Sequence, residues 1–263
     1  MHYIDWGRRG APVLIAVHGF GASAHAWEPL ADLVSEDYRI VALDLPGHGL
    51  TETPHEYRSS LAGQVRLIDE AADQLELSRF ALIGHSMGAQ VALRYAMTGA
   101  REPAALVLIS PAGGVQRDGA GDRPAWASGF WARLALRSVD PRPFVENGLR
   151  RAYDDPARVT DALIDRYVDF ATARGRLRTL LSHDPRPDPV ATPSDFDAIG
   201  APTLVIAGGR DRIVSPQDAE DIAGVIAGAS LRLLGEAGHM PMEEFPETVA
   251  AELREMLDAA GDR

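Results

Sequence analysis

Six short apolar runs recur along the chain: VLIAV (13–17), RIVAL (39–43), FALIG (80–84), ALVLIS (105–110), TLVIAGG (203–209) and SLRLLG (230–235). Each is bounded by turn-forming residues. An uninterrupted apolar run suits a parallel strand buried on both faces, because neither side of such a strand meets water. Between the runs, apolar residues repeat with helical spacing over about 25–35, 59–75, 87–98, 216–227 and 245–259. Strands that alternate with helices imply βαβ units. Right-handed crossovers then give a mostly parallel central sheet with helices on both faces, so the fold class is α/β.

The alternation stops after Pro111 and resumes at Pro202. Within the gap the spacing is helical only: Trp126, Phe130, Trp131 and Leu134, then Val159, Leu163, Ile164, Tyr167 and Phe170, then Leu177, Leu180 and Leu181. A proline-rich exit, DPRPDPVATP, closes it. The expected organisation is a core formed by 1–111 and 196–263, with a helical lid inserted at 112–195. No internal repeat or low-complexity tract appears.

Charge supports the same division. The chain of 263 residues carries a net charge of -12, yet residues 112–195 hold 13 Arg against 12 Asp and Glu, leaving 13 Arg against 26 acids elsewhere. The acidity and the dispersed arginines argue against a nucleic-acid partner, which would need clustered basic side chains. With 46% hydrophobic residues a sizeable core can form. There is no cysteine, which excludes disulfides and thiolate metal sites. The first apolar stretch is too short to span a membrane and lacks a cleavage signal, so a soluble, cytoplasmic protein is expected. All 26 basic residues are Arg, read as a compositional bias.

The chemistry starts at Gly84-His85-Ser86-Met87-Gly88, between the run FALIG and a helical pattern carrying Val91, Ala92, Tyr95 and Ala96. A strand that turns directly into a helix holds its middle residue in a strained conformation, and the flanking glycines let neighbouring segments approach. Ser86 is thereby exposed above the sheet edge. This strand, G-x-S-x-G turn and helix resemble the serine elbow of the α/β hydrolases.

The resemblance extends through three further motifs. HGFGAS (18–23), directly after VLIAV, resembles the family's oxyanion loop and implies the backbone N–H groups of Phe20 and Met87 as donors. In AGGRDRIVSP (207–216), Asp211 follows a late strand, where the family carries the acid that orients the catalytic imidazole. Asp218 and Asp221 lie within the next helical stretch, and the alternative acid position after the earlier strand reads Ser110. In EAGHMPMEEFPE (236–247), only His239 combines a loop after the last strand with the order Ser, Asp, His. Asp44, in the DLPGHG turn, reads as structural. The family often begins with one or two antiparallel strands; here HYIDWG supplies one at most.

The resemblance implies a mechanism. His239 takes the proton of Ser86, Ser86 attacks a carbonyl, the N–H groups of Phe20 and Met87 hold the oxyanion, and water releases the acyl group. No metal or organic cofactor is required. The expected partner is a small-molecule ester, and the expected activity is that of a carboxylesterase. Two alternatives stay open: a carbon–carbon bond hydrolase of ring-cleavage dienoates, whose members usually carry Trp where this chain has Met240, and a triad-bearing receptor with slow turnover. Trp126, Phe130, Trp131, Phe144, Tyr153, Phe170 and Met240 are the candidate substrate-binding residues, since such pockets are mostly apolar.

Overall fold

A computed structural model describes residues 1–52, 60–112, 140–172, 191 and 193–261. Among them, seven strands form one sheet: β1 (Tyr3–Trp6), β2 (Val13–Val17), β3 (Arg39–Leu43), β4 (Ala81–His85), β5 (Leu106–Ile109), β6 (Thr203–Gly208) and β7 (Ser230–Leu234). Their spatial order is β1-β3-β2-β4-β5-β6-β7. All neighbours are parallel except β1, which pairs antiparallel with β3 from Tyr3 against Leu43 to Trp6 against Ile40. HYIDWG does supply the one short antiparallel strand. Ile4 and Trp6 pack on the core while Asp5 forms a bidentate pair with Arg39, at 2.9 and 2.8 Å.

The apolar runs fold as their pattern requires. Strands β3, β4, β5 and β6 are buried at every position. SLRLLG departs from this expectation. Its residues are half-buried or exposed, with Leu233 open to solvent, because β7 is an edge strand flanked by β6 alone.

Helices cover both faces. The 3-10 turn Ala24–Trp27, α1 (Glu28–Val34) and the C-terminal helix Pro246–Gly261 pack on one side, in a cluster containing Trp27, Leu30, Val34, Val249 and Leu253. Helices α2 (Leu61–Gln74), α3 (Met87–Thr98) and Pro216–Val225 pack on the other, around Ile68, Val91, Tyr95 and Ile222. Helix α2 starts at Ser60, whose hydroxyl accepts from the Gly63 N–H at 3.1 Å; such caps contribute about 1 kcal/mol. No helix among the described residues is long and apolar enough to cross a membrane.

Between β5 and β6 the chain forms α4 (Arg142–Ala152), a 3-10 turn (Pro156–Arg158) and α5 (Asp161–Thr172). Leu149, Tyr153, Val159, Leu163 and Ile164 join the same core cluster as α1 and the C-terminal helix, so this segment is docked on the body. Arg166 on α5 reaches Glu28 of α1 at 2.8 Å. The chain leaves β2 toward β3 on one side and returns to β4 on the other, so β2 and β4 flank a reversal of strand order. Ligands of open α/β sheets bind at the carboxyl ends of strands at such a point.

Candidate active site

Four loops meet at that edge. The first contains Ser86, with φ 52° and ψ -114°, a conformation that L-residues rarely adopt. Its N–H donates to Ile109 O at 2.9 Å, and its carbonyl accepts from Ala89 and Gln90, opening α3. The flanking glycines leave no room for a side chain. A Cβ on Gly84 would stand 2.3 Å from Gly88 O, and one on Gly88 would stand 2.1 Å from Val17 O. Backbone approach of this kind is what fixes the elbow. Met87 is the first helical residue, and a helix provides no internal acceptor for its first N–H.

The second loop follows β2 and passes directly over the elbow. A Cβ on Gly19 would meet His85 Nδ1 at 2.7 Å and Ser86 Cβ at 3.2 Å. His18 is a structural brace: Nδ1 donates to Gly19 O at 2.7 Å while Nε2 accepts from Leu45 N at 3.0 Å. Phe20 comes next, a residue 68% exposed whose ring stands edge-on to His48. Asp44 is buried and accepts from Ala24 N at 2.7 Å and Leu50 N at 2.8 Å, with His2 Nδ1 at 2.6 Å.

The third and fourth loops follow β6 and β7. Asp211 Oδ2 accepts from His239 Nδ1 at 2.7 Å, and Asp211 Oδ1 accepts from the N–H groups of Ile213 and Val214. Their side chains are only 2% and 6% exposed, for Asp211 and His239 respectively. A carboxylate held by two amides and an imidazole is oriented before anything binds. The protonated Nδ1 leaves Nε2 as the nitrogen with a free lone pair.

The peptide of His239 is gripped from both sides. Its N–H donates to Ala152 O at 2.6 Å, and its carbonyl accepts from His85 Nε2 at 2.8 Å, beside Ser86. Burial, then the neighbouring His239, push the His85 pKa well below its ordinary value, so this ring is neutral.

The apolar candidates separate on inspection. Trp126, Phe130 and Trp131 lie outside the described residues. Phe144 departs from the expectation of a pocket wall: it is 82% exposed on α4. Tyr153 is buried in the core and its hydroxyl donates to Glu243 Oε2 at 2.7 Å, which makes it a packing residue. Phe170 stacks on His25 with centroids 5.3 Å apart, and Met240 is buried next to His239. Sequence patterning passed over Glu243 and Glu244, which bind the segments around His239. Their signal is two adjacent carboxylates inside the apolar stretch HMPMEEFP.

A depression of about 880 Å³ opens at the amino ends of β2, β4 and β5. Arg8, Arg79 and Arg254 on its walls are balanced by Glu36, Asp37 and Asp258. It lies at the opposite end of the strands from Ser86.

A parallel sheet with a strained serine, an Asp–His pair and a glycine loop at one carboxyl edge defines an α/β hydrolase architecture. A model of the alpha/beta hydrolase family matches residues 14–252, and the chain belongs to that family. It is 24% identical over 260 residues to an uncharacterized hydrolase of Bacillus subtilis, YugF, covering 98% of this chain and 94% of the relative. A monoacylglycerol lipase of Homo sapiens is 27% identical over 259 residues, covering 93% of this chain and 75% of the relative. A solved meta-cleavage product hydrolase from Pseudomonas fluorescens has the same fold, with a TM-score of 0.83 at 24% identity, covering 98% of this chain and 94% of that one.

Proposed function

We propose that this chain hydrolyses carboxylic esters through an acyl-enzyme on Ser86. His239 Nε2 takes the Ser86 proton, Asp211 fixes the tautomer and stabilises the imidazolium, and the N–H groups of Phe20 and Met87 receive the oxyanion. His239 then returns the proton to the leaving alcohol and activates water for deacylation. Residues 112–195 act as the cap that selects the ester.

The observation that carries this reading is the Asp211–His239 hydrogen bond at 2.7 Å, in a loop whose backbone is tied to His85 beside the strained Ser86. The family membership and the monoacylglycerol lipase among the relatives support it. A series of p-nitrophenyl esters of graded chain length, run beside a ring-cleavage dienoate, tests it. Turnover of the esters that falls on the order of 1000-fold or more in Ser86→Ala is expected. Turnover of the dienoate alone, or ester hydrolysis that survives the substitution, would overturn it.

A further inference from the structure

Glu244 is 2% exposed and spends both carboxylate oxygens on backbone amides of two separate segments. Oε1 accepts from Gly238 N at 2.9 Å and from Met240 N at 3.2 Å, the residues on either side of His239. Oε2 accepts from Asp154 N at 2.8 Å, in the segment that joins α4 to α5. The same two segments touch without any side chain between them. A Cβ on Gly238 would lie 2.4 Å from Ala152 O and 2.6 Å from Asp154 N, and the His239 N–H donates to Ala152 O.

We infer that Glu244 is a positioning residue for His239, and that through it residues 152–154 set where the imidazole stands. Two amides grasped by one oxygen fix the plane of the loop on both sides of His239. The other oxygen fixes that loop against α4, so α4 cannot move without carrying the histidine. The neighbouring carboxylate secures the far end of the same linkage. Glu243 accepts from Tyr153 at 2.7 Å and from Tyr167 on α5 at 2.9 Å. Arg158 closes it, donating to Glu244 O at 2.5 Å and lying over the Phe245 ring. A single turn, Pro241–Glu244, therefore holds α4, α5 and the histidine loop. Charge is appropriate to the task, because a carboxylate that accepts three N–H groups makes stronger bonds than a neutral acceptor. Removing it from water raises the Glu244 pKa, an effect the three amides oppose.

This inference deepens the ester-hydrolase reading and rests on it only for the kinetic part of its test. Glu244→Gln keeps the shape and one carbonyl acceptor but sets an amide N–H against one of the backbone donors, and Glu244→Ala removes all three bonds. Two measurements are made on the full chain. The first is the downfield proton resonance of His239 Nδ1–H, identified by its loss in Asp211→Asn. The second is kcat and KM on p-nitrophenyl butyrate, normalised to serine titrated with a fluorophosphonate. The expected result is a displaced or broadened resonance in both variants. With it, kcat should fall about 10–100-fold, as small misplacements of catalytic groups do, while KM stays near its original value. An unmoved resonance in folded Glu244→Gln, with kcat per titrated serine unchanged, overturns the inference; that variant decides the matter if the alanine variant does not fold. Should the wild-type chain hydrolyse no ester, the functional reading fails, yet the resonance still tests the positioning.

Discussion

His239 Nδ1 donates to Asp211 Oδ2 at 2.7 Å across 28 residues of sequence, and the other Asp211 oxygen is held by its own turn. The carboxylate is thus fixed by backbone amides first and by the imidazole second. Asp211→Asn should preserve the turn while removing the charge that selects the Nδ1–H tautomer. Ester hydrolysis is expected to drop by about 10³–10⁴ with the melting curve little altered. Initial rates and circular dichroism on the same sample check this; a loss smaller than tenfold would count against Asp211 as the acid.

The contact between the histidine loop and the inserted segment makes a separate prediction. Gly238→Ala inserts a methyl where Ala152 O and Asp154 N already stand, at 2.4 and 2.6 Å. Backbone cannot yield as a flexible side chain can, so a loss of about 1–3 kcal/mol is expected in urea unfolding. Gly148 serves as the contrast, since a Cβ added there would meet nothing within 4 Å. Gly148→Ala in the interior of α4 should stabilise, because glycine costs about 0.5–1 kcal/mol there relative to alanine.

Asp44 offers a way to separate support from chemistry. Its removal strands the buried Ala24 N–H, an unmet donor worth about 1–3 kcal/mol, and releases the Leu50 N–H as well. Asp44→Ala should therefore lower the denaturation midpoint while leaving turnover per folded molecule intact. Loss of turnover in a fully folded variant would instead give Asp44 a part in the reaction.

Glu243 sets a pH dependence of stability. Burial raises its pKa above the ordinary 4.5, against the opposing hydrogen bonds of Tyr153 and Tyr167. A raised carboxylate pKa means that the folded chain binds the proton more tightly than the unfolded one. The group's contribution is then fully present below 4.5 and is lost as pH climbs through the raised value. Glu243→Gln removes this dependence. The difference in unfolding free energy, variant minus wild type, should grow as pH climbs from 4.5 through the raised value and level off above it. A difference that stays constant would refute the assignment.

Much of this architecture is legible in the sequence, for reasons that particular elements make plain. VLIAV and RIVAL form strands over their whole length, since a short continuous apolar run suits a buried strand, and the helix expected at 87–98 occupies Met87–Thr98, where apolar residues recur with helical spacing. FALIG shifts by one, to Ala81–His85, which carries the strand up to the turn at Ser86. The pairing of Asp211 with His239 follows the resemblance to the α/β hydrolases, which carry Ser, Asp and His in that order on these loops. What escaped was the direction of side chains in the insertion. An aromatic residue type made Phe144 a pocket candidate, but it does not say that the side chain lies 82% exposed. SLRLLG likewise gives no sign that a strand lacks a second neighbour. Glu243 and Glu244 were hidden for a different reason, since their partners are amides and phenols from distant segments, and amides carry no signature in a sequence.

The backbone of Ser86 has a bearing on how this protein would respond to selection. A non-glycine residue held at φ 52° costs on the order of 1–3 kcal/mol. Glycine accepts that geometry freely, so part of the molecule's folding energy is forfeited at the side chain that carries the acyl group in the proposed reaction. A library screened for heat resistance alone would tend to lose Ser86 and with it the chemistry. Any effort to harden this chain should therefore be scored on turnover from its first round.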